Sequence, residues 1–276
     1  MSISSISDCA TLHNGVKIPW LGLGTYKASQ GDEVKIAVKA ALKAGYRHID
    51  TASMYHNETG IGQAVKESGI PESEIFITSK VWNSDQGYDS TLKAFETSVK
   101  KLGVAQLGLY LIHWPAGNRY KETWKALEHL YAEGRARAIG VSNFKVHHLK
   151  DLMESAGVVP MVNQWEFHPH LVQPGLLEFC HSHHIRPEAW SPIMKGKVLE
   201  IDLLKQLGEK YSKSAVQITL RWNLQKGVVT IPKSTRPGRI ASNAQIFDFE
   251  LTKEEVAQID ALDKGSRIGP DPDNFV

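Results

Sequence analysis

The sequence predicts a single (β/α)8 TIM barrel, and three observations carry that prediction. Eight short apolar runs alternate with longer amphipathic stretches, recurring about every thirty residues until a longer gap before the eighth. A length of 276 residues is one that barrels of this kind reach as one unit. No linker, fixed-period repeat or low-complexity segment divides the chain, so one domain over residues 1–276 is expected.

Taken in order, Ala10 to Leu12 and Val16 to Ile18 flank Asn14-Gly15, a dipeptide that readily takes the positive φ angles of a tight turn, so a β-hairpin opens the chain. The eight strand candidates are Leu21 to Gly24, Arg47 to Asp50, Ile75 to Lys80, Leu107 to His113, Ala136 to Val141, Met161 to Gln164, Ile185 to Trp190 and Val228 to Ile231. Between them the spacing predicts helices over Glu33 to Ala44, Tyr88 to Leu102, Tyr120 to Glu133 and Val146 to Ser155. Ser214 with Gln217, and Thr252 with Glu255, have the form of capping boxes at two later helix starts. A C-terminal helix and tail complete the chain. The rival doubly wound dinucleotide fold asks for G-x-G-x-x-G after the first strand; Gly22-Leu23-Gly24-Thr25-Tyr26-Lys27 lacks the third glycine, and the next acidic strand end, Asp50, lies too far on.

Apolar residues make up 42% and charged residues 22%, a globular composition able to bury a sizeable core. A net charge of +2, with its cations dispersed, argues against nucleic acid. There is no apolar run of membrane-spanning length and no signal-like start, so a cytoplasmic protein without a membrane partner is expected. Cys9 and Cys180 form neither a disulfide framework nor a thiolate zinc site.

In such barrels the active site is assembled at the C-terminal ends of the strands. Asp50, Lys80 and His113 end the second, third and fourth strand candidates, and Tyr55 lies in the loop after the second. Singly, each has a structural explanation: aspartate caps helices, lysine is solvated, and a strand-end histidine is hydrogen-bonded in place. Together at one mouth they form a proton-transfer unit. A neighbouring ammonium, Lys80, lowers the pKa of a phenol; Asp50 holds that ammonium; His113 orients a carbonyl oxygen; Tyr55 delivers the proton. No nucleophile with an adjacent base accompanies them, and no second ligand stands near His113, which leaves carbonyl reduction by an external hydride donor.

Several segments then resemble the aldo-keto reductase family, in the right order: Leu21-Gly-Leu-Gly-Thr25, Tyr46-Arg-His-Ile-Asp-Thr-Ala52, Tyr55-His-Asn-Glu58, Ile77-Thr-Ser-Lys80, Leu109-Tyr-Leu-Ile-His-Trp-Pro115, Gly140-Val-Ser-Asn143 and Ile231-Pro-Lys-Ser234. The resemblance implies that Asp50, Tyr55, Lys80 and His113 are a catalytic tetrad with Tyr55 as general acid, reducing aldehydes or ketones with NADPH. It further implies cofactor contacts from Gly24, Thr25, Asp50 and Ser191, with Ser142, Asn143 and Gln164 bracketing the nicotinamide carboxamide and Trp190 stacking on the ring. Lys233, Ser234, Thr235 and Arg239 suit the adenosine 2′-phosphate, and Asn243 the adenine. Departures from the family pattern are Ser242 in place of an acidic residue, Gly108 where aspartate is common, Trp165 where an aliphatic residue is common, and Pro187 within a strand.

Tyr26, Met54, Trp82, His113 and Trp114 are expected to wall an aromatic substrate pocket, and the tail from Arg267 to Val276 to fold over its rim. Short dicarbonyls, aromatic or sugar-derived carbonyls follow by resemblance alone, as does a monomer. His181, His183 and His184 read as a solvated helix end, so no metal is expected. Two alternatives are a non-catalytic NADPH-binding sensor or partner subunit and a cofactor-free barrel isomerase.

Overall fold

The computed structural model describes residues 3–275, and of residue 118 the backbone alone. The hairpin is β1 (Cys9–Thr11) antiparallel to β2 (Lys17–Pro19), with Ala10 opposite Ile18. Its turn has three residues rather than two: the Gly15 N–H donates to Leu12 O and the Leu12 N–H to Val16 O, each at 2.9 Å. Of the Asn14-Gly15 pair only Gly15 has positive φ, 87°, the left-handed position of such a loop. Asn14 Nδ2 donates to Arg137 O and Arg186 Nη2 to Thr11 O, at 3.0 and 3.5 Å, tying the hairpin to the N-terminal ends of barrel strands.

Eight parallel strands follow, each paired with the next in chain order: β3 (Leu23–Gly24), β4 (His48–Asp50), β5 (Phe76–Val81), β6 (Leu109–Ile112), β7 (Ile139–Ser142), β8 (Val162–Glu166), β9 (Arg186–Trp190) and β10 (Val229–Thr230). Single bridges, Leu21 to Thr230 and Gly24 to Lys233, join the first strand to the last. Gly24 is required at that seam, since a Cβ there would lie 2.7 Å from Ile231 O. The strands are shorter than their apolar runs because burial extends beyond the ladder: Leu107, Ala136, Met161 and Ile185 are buried just outside it. β8 instead runs two residues past Gln164, to Glu166.

Helices α1 (Asp32–Lys43), α2 (Glu58–Glu67), α3 (Tyr88–Leu102), α4 (Tyr120–Ala132), α5 (Val146–Met153) and α6 (Pro174–Ser182) follow β3 to β8 in turn. The longer gap before the eighth strand holds two helices, α7 (Asp202–Tyr211) and α8 (Ala215–Gln225), and α9 (Pro237–Asn243) and α10 (Lys253–Asp260) end the fold. Both capping boxes form, with the Gln217 N–H on Ser214 Oγ at 3.3 Å and the Glu255 N–H on Thr252 Oγ1 at 3.2 Å.

Two departures have a packing reason. A Cβ on Gly108 would meet the Phe76 ring at 2.8 Å, so the large ring and the missing side chain belong together. Pro187 stands one residue before β10 begins to pair with β9, at Glu188 opposite Val229, so its absent N–H removes no bond of that ladder.

Candidate active site

Alternation along the strands turns His48 and Asp50 of β4, Thr78 and Lys80 of β5, Gln164 of β8 and Glu188 of β9 into the barrel, where all are buried. Asp50 is fixed through its backbone, because Thr25 donates to Asp50 O from both its hydroxyl, at 2.8 Å, and its N–H, at 3.1 Å. The Thr25 hydroxyl, predicted to touch cofactor, is therefore directed into this strand contact. Lys80 Nζ donates to Asp50 Oδ1 at 2.6 Å and to Thr51 O at 2.8 Å. The same ammonium lies 5.2 Å from the centroid of the Tyr55 ring. Tyr55 ends a 3-10 turn over Ser53–Tyr55, pinned by Ser53 Oγ donating to Lys80 O at 3.1 Å. The His113 ring meets Tyr55 edge-on at 5.6 Å. All four predicted tetrad residues thus converge on one rim.

One expectation is corrected. The Tyr55 phenol is not lowered on balance: burial is the largest cause and pushes its pKa well above the ordinary value, with Asp50 and Tyr26 adding to the rise. The Asp50 carboxylate, 2.6 Å from the Lys80 ammonium, opposes its pull on the phenol. Burial, then Lys80, holds His113 well below the ordinary histidine range, so its imidazole is neutral, and its Nδ1 has no partner among the described residues.

Aromatic side chains surround these groups. Tyr26, 47% exposed, lies 5.0 Å from Tyr55, and Trp82 meets His113 edge-on at 5.0 Å. Trp114 lies beyond His113, and Met54 is partly buried in the Tyr55 turn. The tail does cross the rim: the Ile268 and Gly269 N–H groups donate to Glu166 at 2.5 and 3.1 Å, and Phe275 packs 4.2 Å from Trp114 and 6.2 Å from Trp82. Val276, the predicted end of that tail, is outside the described residues.

The amides on the next strands are linked. Asn143 Nδ2 donates to His113 O at 2.9 Å and to Ser142 Oγ at 3.1 Å, Asn143 Oδ1 accepts Trp190 Nε1–H at 2.8 Å, and Ser142 Oγ donates to Gln164 O at 2.9 Å. Gln164 Nε2 donates to Asp50 Oδ2 at 2.8 Å and to Glu188 Oε2 at 3.0 Å. Ser191 follows β9 in a left-handed conformation, φ 53°. Beyond β10, Lys233 and Arg239 are exposed and form no ion pair within 4 Å among the described residues. Ser234 Oγ accepts the Arg236 N–H at 3.2 Å, Thr235 is partly buried, and Asn243 is buried at the end of α9.

Glu188, His48 and Glu166 are absent from the sequence prediction. Their signal is parity: Glu188 lies two residues before Trp190, and His48 two before Asp50, so each shares its neighbour's inward face. His181, His183 and His184 are exposed, as predicted. His147, His148 and Asp273 stand at ligand spacing. His148 Nδ1 accepts the Lys145 N–H at 3.2 Å, however, which leaves the ring proton on Nε2, the atom nearest Asp273.

The barrel mouth thus gathers a phenol, a carboxylate-bound ammonium and a neutral imidazole. The family model of the Aldo/keto reductase family matches residues 20–264, and the chain belongs to that family. It is 55% identical over 273 residues to glyoxal reductase of Bacillus subtilis, covering 99% of each chain. A solved aldo/keto reductase from Brucella melitensis superposes with a TM-score of 0.90 at 50% identity, over 92% of this chain and 99% of that one. The Bombyx mori aldo-keto reductase in complex with NADP does so with a TM-score of 0.91 at 37% identity, over 96% and 95%.

Proposed function

We propose that this chain reduces the carbonyl of a small aldehyde or ketone with NADPH, short dicarbonyls being the favoured substrates, as an NADP-dependent aldehyde reductase of the cytoplasm acting as a monomer. The observation that carries the reading is the buried Lys80–Asp50 pair, 2.6 Å long, directly beneath the Tyr55 ring. The name of the 55% identical relative supports glyoxal-like substrates, and the NADP complex of the silkworm relative supports the cofactor.

The residues fit that cofactor chemically. The exposed cations Lys233 and Arg239 suit a phosphate, Trp190 offers a flat face held in place by Asn143, and the Gln164 carbonyl oxygen accepts from no donor among the described residues. NADPH, when bound, supplies the hydride that reduces the carbonyl carbon. Tyr55, its pKa raised, keeps its proton at neutral pH and releases it only to an oxygen gaining negative charge; the nearby Lys80 ammonium stabilises the phenolate left behind. Neutral His113 orients the carbonyl without competing as an acid. The walls of Trp82, Trp114 and Phe275 keep water from the reacting carbon.

The loss of NADPH absorbance on adding glyoxal is the test. Turnover is expected; binding of NADPH with no turnover across a panel of carbonyls points to a sensor or partner subunit, and no binding to a cofactor-free isomerase.

A further inference from the structure

Beneath the tetrad, the barrel carries a polar chain that proton delivery does not use. Glu188 is fully buried on β9, with Oε2 accepting Gln164 Nε2–H at 3.0 Å and Oε1 lying 3.6 Å from His48 Nε2. His48, also fully buried, shares Nε2 with Thr78 Oγ1 at 3.1 Å. Gln164 has two amide hydrogens, and both are taken, one by Glu188 Oε2 and the other by Asp50 Oδ2 at 2.8 Å. Two carboxyl oxygens around one terminal atom require that atom to be the nitrogen. Gln164 Oε1 then accepts nothing from the described residues, and it is not among the unpartnered atoms sealed from solvent.

We infer that Glu188 is a positioning residue for the nicotinamide: by holding the Gln164 amide group inward beside Asp50, it fixes Gln164 Oε1 as the hydrogen-bond acceptor presented to the cofactor carboxamide. The inference rests on the NADPH reading above. Asp50 alone leaves one amide hydrogen unclaimed in a buried site, and the amide is then free to turn over and present its NH2 outward, a donor facing a donor. Burial, then the Asp50 carboxylate, pushes the Glu188 carboxyl up to about 8, so at neutral pH it is mostly protonated and sets no second negative charge beside Asp50. Burial, then Lys80, pushes His48 down to about 3, so it is neutral and presents no cation to Glu188. The protonated carboxyl still offers Oε2 to Gln164 as an acceptor, and its Oε1 lies 3.6 Å from His48 Nε2.

The experiment compares two ligands by calorimetric titration of the full chain: NADP+ and 2′-phospho-ADP-ribose, which lacks nicotinamide. Glu188→Met, close in volume and without a good acceptor, is expected to weaken NADP+ about tenfold, the size of one lost buried hydrogen bond. It should leave 2′-phospho-ADP-ribose within about twofold, because that ligand never meets Gln164. Glu188→Gln, which retains the acceptor oxygen, should restore NADP+ affinity to within about threefold. Glu188→Leu takes the place of the methionine variant if the latter does not fold. Unchanged NADP+ affinity, equal weakening of both ligands, or no recovery in Glu188→Gln overturns the assignment. A wild-type chain that binds neither ligand overturns the cofactor reading itself.

Discussion

Beneath the Tyr55 phenol the polar side chains are already bound to one another, whereas Lys233 and Arg239, past the end of β10 on the same rim, are exposed and form no ion pair within 4 Å among the described residues. Lys80, Asp50, Gln164 and Glu188 form one continuous chain of hydrogen bonds inside the barrel. The difference teaches where preorganisation is needed. Proton transfer gains from groups fixed before substrate arrives, in a site of low dielectric where misplaced charge is costly. Phosphate recognition tolerates solvated cations, since the anion brings its own charge and the loss of water is partial.

Breaking the inner region should have the largest effect. Asp50→Asn leaves the buried Lys80 ammonium without its counter-charge, which is expected to cost about 3–5 kcal/mol of stability and about a hundredfold or more in kcat. Denaturant unfolding and steady-state kinetics read the two losses; a variant as stable as wild type would show that the pair is not held as a charged unit. At the outer region, Lys233→Ala with Arg239→Ala should raise KM for NADPH by about tenfold to a hundredfold, with kcat at saturation and KM for NADH nearly unchanged. Equal changes for the two cofactors would remove the 2′-phosphate from that place. Ionic strength sharpens the contrast more gently. Going from about 0.05 to 0.5 M salt should weaken NADPH severalfold while sparing kcat, since exposed charges are screened and buried ones much less.

The remaining test concerns Glu188 and pH. Its carboxyl stands at about 8 in the fold against an ordinary 4.5, so the folded protein retains a proton that the unfolded chain has released. The contribution of Glu188 to stability is therefore intact below about pH 4.5, declines as the pH rises toward 8 and is level above that. Glu188→Gln should gain stability over wild type progressively across that window, read as urea midpoints at pH 5 and pH 8.5. A difference that does not grow with pH would mean that the carboxyl is ionised throughout.

How far the sequence carries to this site depends on where each residue sits. Asp50, Lys80 and His113 were legible because an ionisable group directly after an apolar run has few structural uses at a barrel mouth. Glu188 was not, because a charge inside a strand is ordinarily read as facing water; only the closure of the ring brings Gln164 and Asp50, from distant segments, around it. The same closure hides the two-residue strands β3 and β10, whose apolar runs are longer than their ladders. Phe275 was missed as a lone aromatic in a polar tail, its partners Trp114 and Trp82 being remote in sequence. The direction of the Tyr55 shift failed for a related reason: composition supplies the cation, but only the fold shows the burial and the Asp50 carboxylate that raise the phenol.

Tyr55→Phe tests the central claim most directly, since it removes one oxygen from a ring whose packing it leaves in place. NADPH affinity should stay at the wild-type level while turnover of glyoxal falls at least about a hundredfold, the usual worth of a positioned general acid. Turnover above about one tenth of wild type would contradict the account, for the proton would then have to come from elsewhere.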